Sequence, residues 1–178
     1  ALAAQIASEA ASDVAKAYAG SLLYTFDTST ADADPGAGKI RLNNSSLALV
    51  TAAFVDNLDR DGNTVTAILD LLDDSTNTGI KAVVTLREGI TGKVVSYELT
   101  GSVVDGTGYR KLTLVYIGGS TGGMSSGSVV GLAFALAGNK GSDGLGAGDM
   151  VSNTAVSIDG EVTLFSGLTG KLFKRAPG

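Results

Sequence analysis

The chain has 178 residues, a formal net charge of −5, 25 glycines, two prolines, and no tryptophan, cysteine or histidine. Without cysteine or histidine there is no zinc finger, iron–sulfur centre, thiol nucleophile, Ser-His-Asp triad or imidazole base. The acidic balance, with an isoelectric point near 4.6, argues against a surface that tracks nucleic-acid phosphates.

The length is that of one main domain with accessory segments. No apolar run reaches the ~18 residues of a membrane span. The first stretch lacks a basic n-region and carries Glu9, Asp13 and Lys16, so it does not read as a signal peptide. Residues 1–20 form an alanine-rich segment without proline, ending at Gly20, and predict a helix over 1–19. Ala3, Ala7, Ala10, Val14 and Ala17 fall at a/d spacing, flanked by Leu2, Ile6 and Ala11. A seam that small cannot hold a helix by itself. It suits close approach of two or three copies, and a frayed surface helix is the alternative.

From Leu22 the period changes. Leu23–Phe26 and Lys39–Leu42 read as strands, separated by the polar loop 27–33 and the turn Asp34-Pro35-Gly36. Residues 47–58 fit either a helix face (Leu47, Val50, Phe54, Leu58) or a strand, and a strand is expected from the β-branched content. Val65–Leu72 keeps a helical spacing and predicts a short helix. Three alternating runs follow. Ala82, Val84 and Leu86, then Val95, Tyr97 and Leu99, then Leu112, Leu114 and Tyr116 share one face each, as in an antiparallel meander with one solvated side.

Gly118–Ser128 is almost wholly Gly, Ser and Thr and reads as a flexible loop. Residues 128–137 form a strand with Val130, Leu132, Phe134 and Leu136 on one face and Val129, Gly131, Ala133 and Ala135 on the other. Both faces are apolar, so cover on both sides is expected, by a second sheet and by a neighbouring subunit. Residues 139–149 are a glycine-rich linker; Gly138, Gly141 and Gly144 keep a collagen-like triplet spacing that then fails. In the short extension 150–178, Val156–Ile158, Glu161–Phe165 and Lys171–Lys174 are strand candidates, too few for a core of their own. The expected fold class is therefore mainly β, with a β-sandwich-like knob over residues 21–138.

Candidate chemistry is sparse. Asn57, Asp59, Asp61 and Gly62 copy the opening of a calcium loop, but Ile68 stands where the bidentate glutamate belongs. A tight turn explains the same residues. Asp59/Asp61 and Asp73/Asp74 are the close acidic groups, both in turn-like sequence and without an aromatic cluster to stack a sugar, so hydrolysis by paired carboxylates is not expected. No GK[ST] follows Gly118–Gly127, which excludes a phosphate cradle. Lys171, Lys174 and Arg175 read as a solvated terminus. No enzyme, metal or cofactor is expected.

The order of parts nevertheless carries a resemblance. An Ala-rich helix, the Leu23-Tyr24-Thr25-Phe26 strand and residues 34–43 (DPGAGKIRLN) come first. Residues 100–109 (TGSVVDGTGY), the Gly138–Gly144 triplets and residues 158–172 (IDGEVTLFSGLTGKL) follow. Together these resemble the modular fibre proteins of tailed bacteriophages, over nearly the whole chain. The resemblance implies a virion structural role for a homotrimer. It would be assembled in the host cytoplasm and attached to other virion proteins of tail, neck or capsid. No nucleic acid and no membrane insertion are implied, and no catalytic residues carry over. The short collagen-like piece and the absence of an evident tip module point to a shaft or attachment fragment of a longer fibre. Threefold symmetry would let weak seams form one buried axis, for which Ile6, Ala10, Val14 and Ala17 in the helix and Ala133 and Ala135 in the strand are the expected interface residues. The alternative is a carbohydrate-binding module that grips a host cell-surface glycan, with Tyr24, Tyr97, Tyr109 and Tyr116 as candidate stacking residues. Tyr97 and Tyr116 share a face with Leu99 and Leu114, which places them in the core instead.

Overall fold

A computed structural model describes Ala15, residues 20–139, Gly141 and the strand segments Thr163–Ser166 and Leu172–Arg175. The helix expected over 1–19, apart from Ala15, the linker beyond Gly141 and the strand expected at 156–158 lie outside the described residues. The chain divides into two units, Ala1–Asn139 and Lys140–Gly178.

In the first unit the strands are β1 (Leu22–Asp27), β2 (Lys39–Leu42), β3 (Ala52–Asp56), β4 (Ala82–Glu88), β5 (Val94–Leu99), β6 (Val104–Asp105), β7 (Tyr109–Gly119) and β8 (Val129–Leu136). Around the sheet they run β3-β2-β1-β8-β4-β5-β7, and β3 pairs again with β7. Seven strands thus close into a barrel, with β6 hydrogen-bonded to the start of β7. The expected β-sandwich is corrected to this closed ring. The reason lies in β3, whose two edges are both used: Ile40↔Val55 and Leu42↔Ala53 toward β2, Ala52↔Thr113 through Asp56↔Tyr109 toward β7. Closure removes the sheet edges that a sandwich would leave exposed.

Alternation along each strand decides what fills the ring. Tyr24, Ile40, Val55, Leu86, Val95, Tyr97, Leu112 and Leu132 belong to one buried core. At the end where β4 begins, a short helix α1 (Thr66–Asp70) and the 3-10 turn Leu71–Asp73 insert Leu69 and Leu72. This is the helix expected from the spacing of residues 65–72. Over residues 47–58 the expected strand is found as β3, preceded by a 3-10 turn at Leu47–Leu49. Leu47 and Val50 are buried in the same core.

The expected meander is present: β4 pairs with β5, and β5 with β7. Between Tyr97↔Tyr116 and Ser96↔Gly118 the register slips by one residue, so Ile117 is the extra residue of a bulge. β8 lies centrally between β1 and β4. Val130 and Leu132 are fully buried inside the barrel; on the outside Gly131 is buried, Ala133 half-buried and Ala135 exposed. The inner cover expected from a second sheet is supplied by the far wall of the same barrel.

β1 and β2 run parallel, so residues 28–38 must cross outside the barrel to connect them. Arg41 pins that crossover: its guanidinium pairs with Asp27 at 2.5 Å and donates to the Ala31 and Ala33 carbonyls at 3.4 Å. In the second unit, β9 (Thr163–Ser166) and β10 (Leu172–Arg175) form an antiparallel hairpin with Phe165 opposite Phe173.

Candidate functional site: a covered barrel mouth and an open strand edge

The barrel mouth where β4 ends is built around Glu88. It is opposite Val130 of β8, which aims its side chain inward, and it is 0% exposed. A buried carboxylate requires donors. The Ser125 backbone N–H supplies one at 2.6 Å, the Thr91 hydroxyl another, and the Lys93 ammonium lies 4.0 Å away. Burial pushes the Glu88 carboxyl up, but the Thr91, Ser125 and Ser128 donors outweigh it and hold it below its ordinary value.

These bonds fasten the segment Gly118–Ser128, expected as a flexible loop, into a cover. Met124 is buried in the core, Leu47 donates its N–H to the Thr121 carbonyl at 2.9 Å, and Lys93 donates to the Gly123 carbonyl. Glycine is needed at 123 because a Cβ there would stand 2.6 Å from the Ser45 carbonyl oxygen. Beneath the cover, Phe26, Leu42, Leu47 and Met124 line a small cavity of about 50 Å³.

The candidate tyrosines do not form a platform. Tyr24 and Tyr97 are fully buried, and their hydroxyls donate to the Asp56 carbonyl at 3.3 Å and the Leu47 carbonyl at 2.9 Å. Burial pushes both phenols well above their ordinary range. Tyr116 packs edge-on against Tyr97 at 6.1 Å and donates to the Gly119 carbonyl. Tyr109 packs edge-on against Phe54 at 6.1 Å on the outer face, where its hydroxyl donates to Asp32 at 3.2 Å. Lys111 also pairs with Asp32, and its ammonium holds that carboxyl below the usual range. The aromatic rings thus serve the core and the crossover rather than a stacking face.

The candidate acids are likewise structural. Asp59 accepts from the Asp61 N–H at 3.0 Å, the Asn63 N–H at 2.8 Å and the Asn63 side-chain amide at 2.9 Å. Gly62, with φ +85°, completes the turn. Asp73 accepts from the Val103 N–H at 2.9 Å and so guides the chain toward β6. Asn57, first residue of the calcium-like sequence, donates its N–H to the Gly108 carbonyl. Among the described residues no three His, Cys, Asp or Glu side chains gather to hold a metal.

Of the expected interface residues, Ile6, Ala10, Val14 and Ala17 lie outside the described residues. Ala133 and Ala135 fall on the outward face of β8, opposite Thr85 and Val83 of β4. The structure adds a feature not assigned from the sequence: β7 runs past the end of β3, and beside its overhang Leu49, Val115 and Ile117 are 65%, 48% and 50% exposed. The signal was present, since Val115 and Ile117 occupy the face that Lys111 and Thr113 make polar. No family model, curated protein or solved structure matches the chain.

Proposed function

We propose that the chain is a virion structural protein, a segment of a homotrimeric bacteriophage fibre that anchors and spaces a host-contacting tip. The resemblance in the order of modules motivates this reading. The observation that supports it best is the use of the candidate chemistry for structure. The tyrosines that a glycan module would need are packed into the barrel or against the crossover. The candidate acids hold turns. A filled barrel with both mouths covered suits a rigid spacer, and self-association through small-residue seams gives such a spacer persistence without disulfides.

The test is the solution mass of the full chain by light scattering, with a thermal melt of the same sample. A mass of about three chains, reduced to one by Val14→Asp, is the expected result. A well-folded monomer overturns the reading, and saturable binding to a glycan panel would then favour a carbohydrate-binding module.

A further inference from the structure

The cover of the barrel is held differently from the strands beneath it. Its two feet are fixed: Ser120 donates its N–H to the Val94 carbonyl at 2.7 Å, and Gly127 to the Phe26 carbonyl at 2.9 Å. Between the feet, residues 121–126 belong to no strand ladder. Four fastenings keep them down. Leu47 bonds the Thr121 carbonyl, Lys93 bonds the Gly123 carbonyl, Met124 fills the core, and Glu88 takes the Ser125 N–H at 2.6 Å. Segments with few apolar contacts and few ladder bonds open at lower cost than core strands.

Glu88 is the fastening whose charge changes as the solution turns acid. Its buried carboxylate meets Thr91 and Lys93 of the β4–β5 turn, Ser125 and Ser128 of the cover, and Val130 opposite on β8. Of these, Lys93 alone is charged, and it stands 4.0 Å away. A hydrogen bond to an ionised acceptor is about twice as strong as one between neutral groups. Protonation therefore weakens the hold on Ser125 and takes from Lys93 its counter-charge. It also adds an O–H that needs an acceptor, whereas the Ser125 N–H and the Lys93 ammonium only donate.

We infer that Glu88 is a proton-operated latch: on taking up a proton it releases residues 121–126, which swing out between Ser120 and Gly127 while the barrel stays closed. Opening bares Phe26, Leu42, Leu47 and Met124, all buried in the closed state. The barrel survives because its ladders are backbone bonds between strands, none of them made by the Glu88 side chain. The direction follows from linkage. Burial pushes the closed-state carboxyl up, but its donors outweigh burial and hold it below the ordinary 4.5. In the open state those donors are gone and the carboxyl returns toward that value. Opening therefore takes up a proton and is favoured as pH falls below about 4.5, by at most about tenfold per pH unit for one proton. The latch goes beyond the fibre reading and does not rest on it.

The test is hydrogen exchange of the full chain between about pH 6 and about pH 3, with each amide's protection referred to the unfolded chain at the same pH. Protection of the Leu47, Ser125 and Ser128 amides is expected to fall by up to about tenfold per pH unit below about pH 4.5. The amides of β4 and β8 are expected to keep theirs. Glu88→Gln, neutral at every pH, is expected to show weak protection of the cover already at about pH 6, without the slope. Equal slopes in cover and barrel, or a slope retained in Glu88→Gln, overturns the latch. A second readout leaves Glu88 in place. The chain has no cysteine of its own, so Met124→Cys puts a single thiol under the cover. Labelling by a neutral pyridyl disulfide, relative to the unfolded chain at the same pH, is expected to quicken as the solution is acidified. A relative rate that does not change with pH overturns the latch.

Discussion

Ser125 donates its backbone N–H to the fully buried carboxylate of Glu88 at 2.6 Å, joining the glycine-rich segment to the end of β4. One ionised side chain thereby organises a loop whose sequence supplies little apolar anchorage apart from Met124. Glu88→Ala should cost about 3 kcal/mol, because it strands the donors that the carboxylate satisfies. Glu88→Gln, which keeps the shape, should cost about half as much. Thermal melts of the two variants check the order.

The same group predicts an acid limb. Its folded pKa lies below the ordinary glutamate value of 4.5, so the unfolded chain takes up the proton first as pH falls. The stability Glu88 contributes is complete above that value and is lost as pH drops through the folded pKa. Donors hold Asp27, Asp32, Asp59 and Asp70 low as well. The wild type should therefore lose stability below about pH 4.5, and Glu88→Gln should show a shallower decline. Identical pH slopes for the two proteins would contradict this role.

Tyr97→Phe should cost about 1 kcal/mol. The ring stays buried, but the Leu47 carbonyl loses its 2.9 Å donor. The loss should appear as a lower denaturant midpoint with an unchanged slope, since the surface exposed on unfolding is the same. Hydrogen exchange should quicken at the Leu47 N–H, which is bonded to Thr121 in the adjoining cover.

Gly123→Ala should loosen the cover without touching the rest of the barrel. The added Cβ meets backbone at 2.6 Å, and backbone cannot swing aside as a side-chain end can, so a cost of about 1–3 kcal/mol is expected. Faster exchange confined to the Ser125 and Ser128 amides is the diagnostic result. Gly122→Ala, with no atom near its Cβ position, is the control.

The crossover has one exposed pin and one sheltered pin. Asp32 and Lys111 are 51% and 37% exposed, so Asp32→Asn should leave the melting temperature almost unchanged, and still less altered at high salt. Arg41 is 10% exposed and also holds two loop carbonyls. Arg41→Ala should therefore cost about 2 kcal/mol and open residues 28–38 to proteolysis with little salt dependence.

Alternation located β4, β5 and β7, because a two-residue period reports burial on one face, while turn residues bounded β1 and β2 and an apolar run on both faces marked β8. It could not distinguish a sandwich from a barrel: Val84 reads the same whether another sheet or the far wall of its own ring covers it. Closure depends on Phe54 facing Arg41 on one side and Lys111 on the other, a relationship between distant segments that no local pattern encodes. Glu88 was invisible for a similar reason. As the last residue of a strand before Gly89, it looks like a solvated end until Ser125 is brought to it. The tyrosines were half legible: the company of Leu99 placed Tyr97 inside, whereas the burial of Tyr24 depends on β8 pairing alongside β1.

That placement of β8 has a kinetic meaning. β8 is the last barrel strand to be synthesised, yet it fills a central position, bonded on one edge to β1 and on the other to β4. Until it emerges, a nascent chain can form at most one open arc, β1-β2-β3-β7-β5-β4, whose two free edges no earlier strand can join. Closure of the unit must therefore wait for β8, with a high contact order and a correspondingly slow rate. A chain stopped before Val129 would have the residues of most of a core and no means of sealing it.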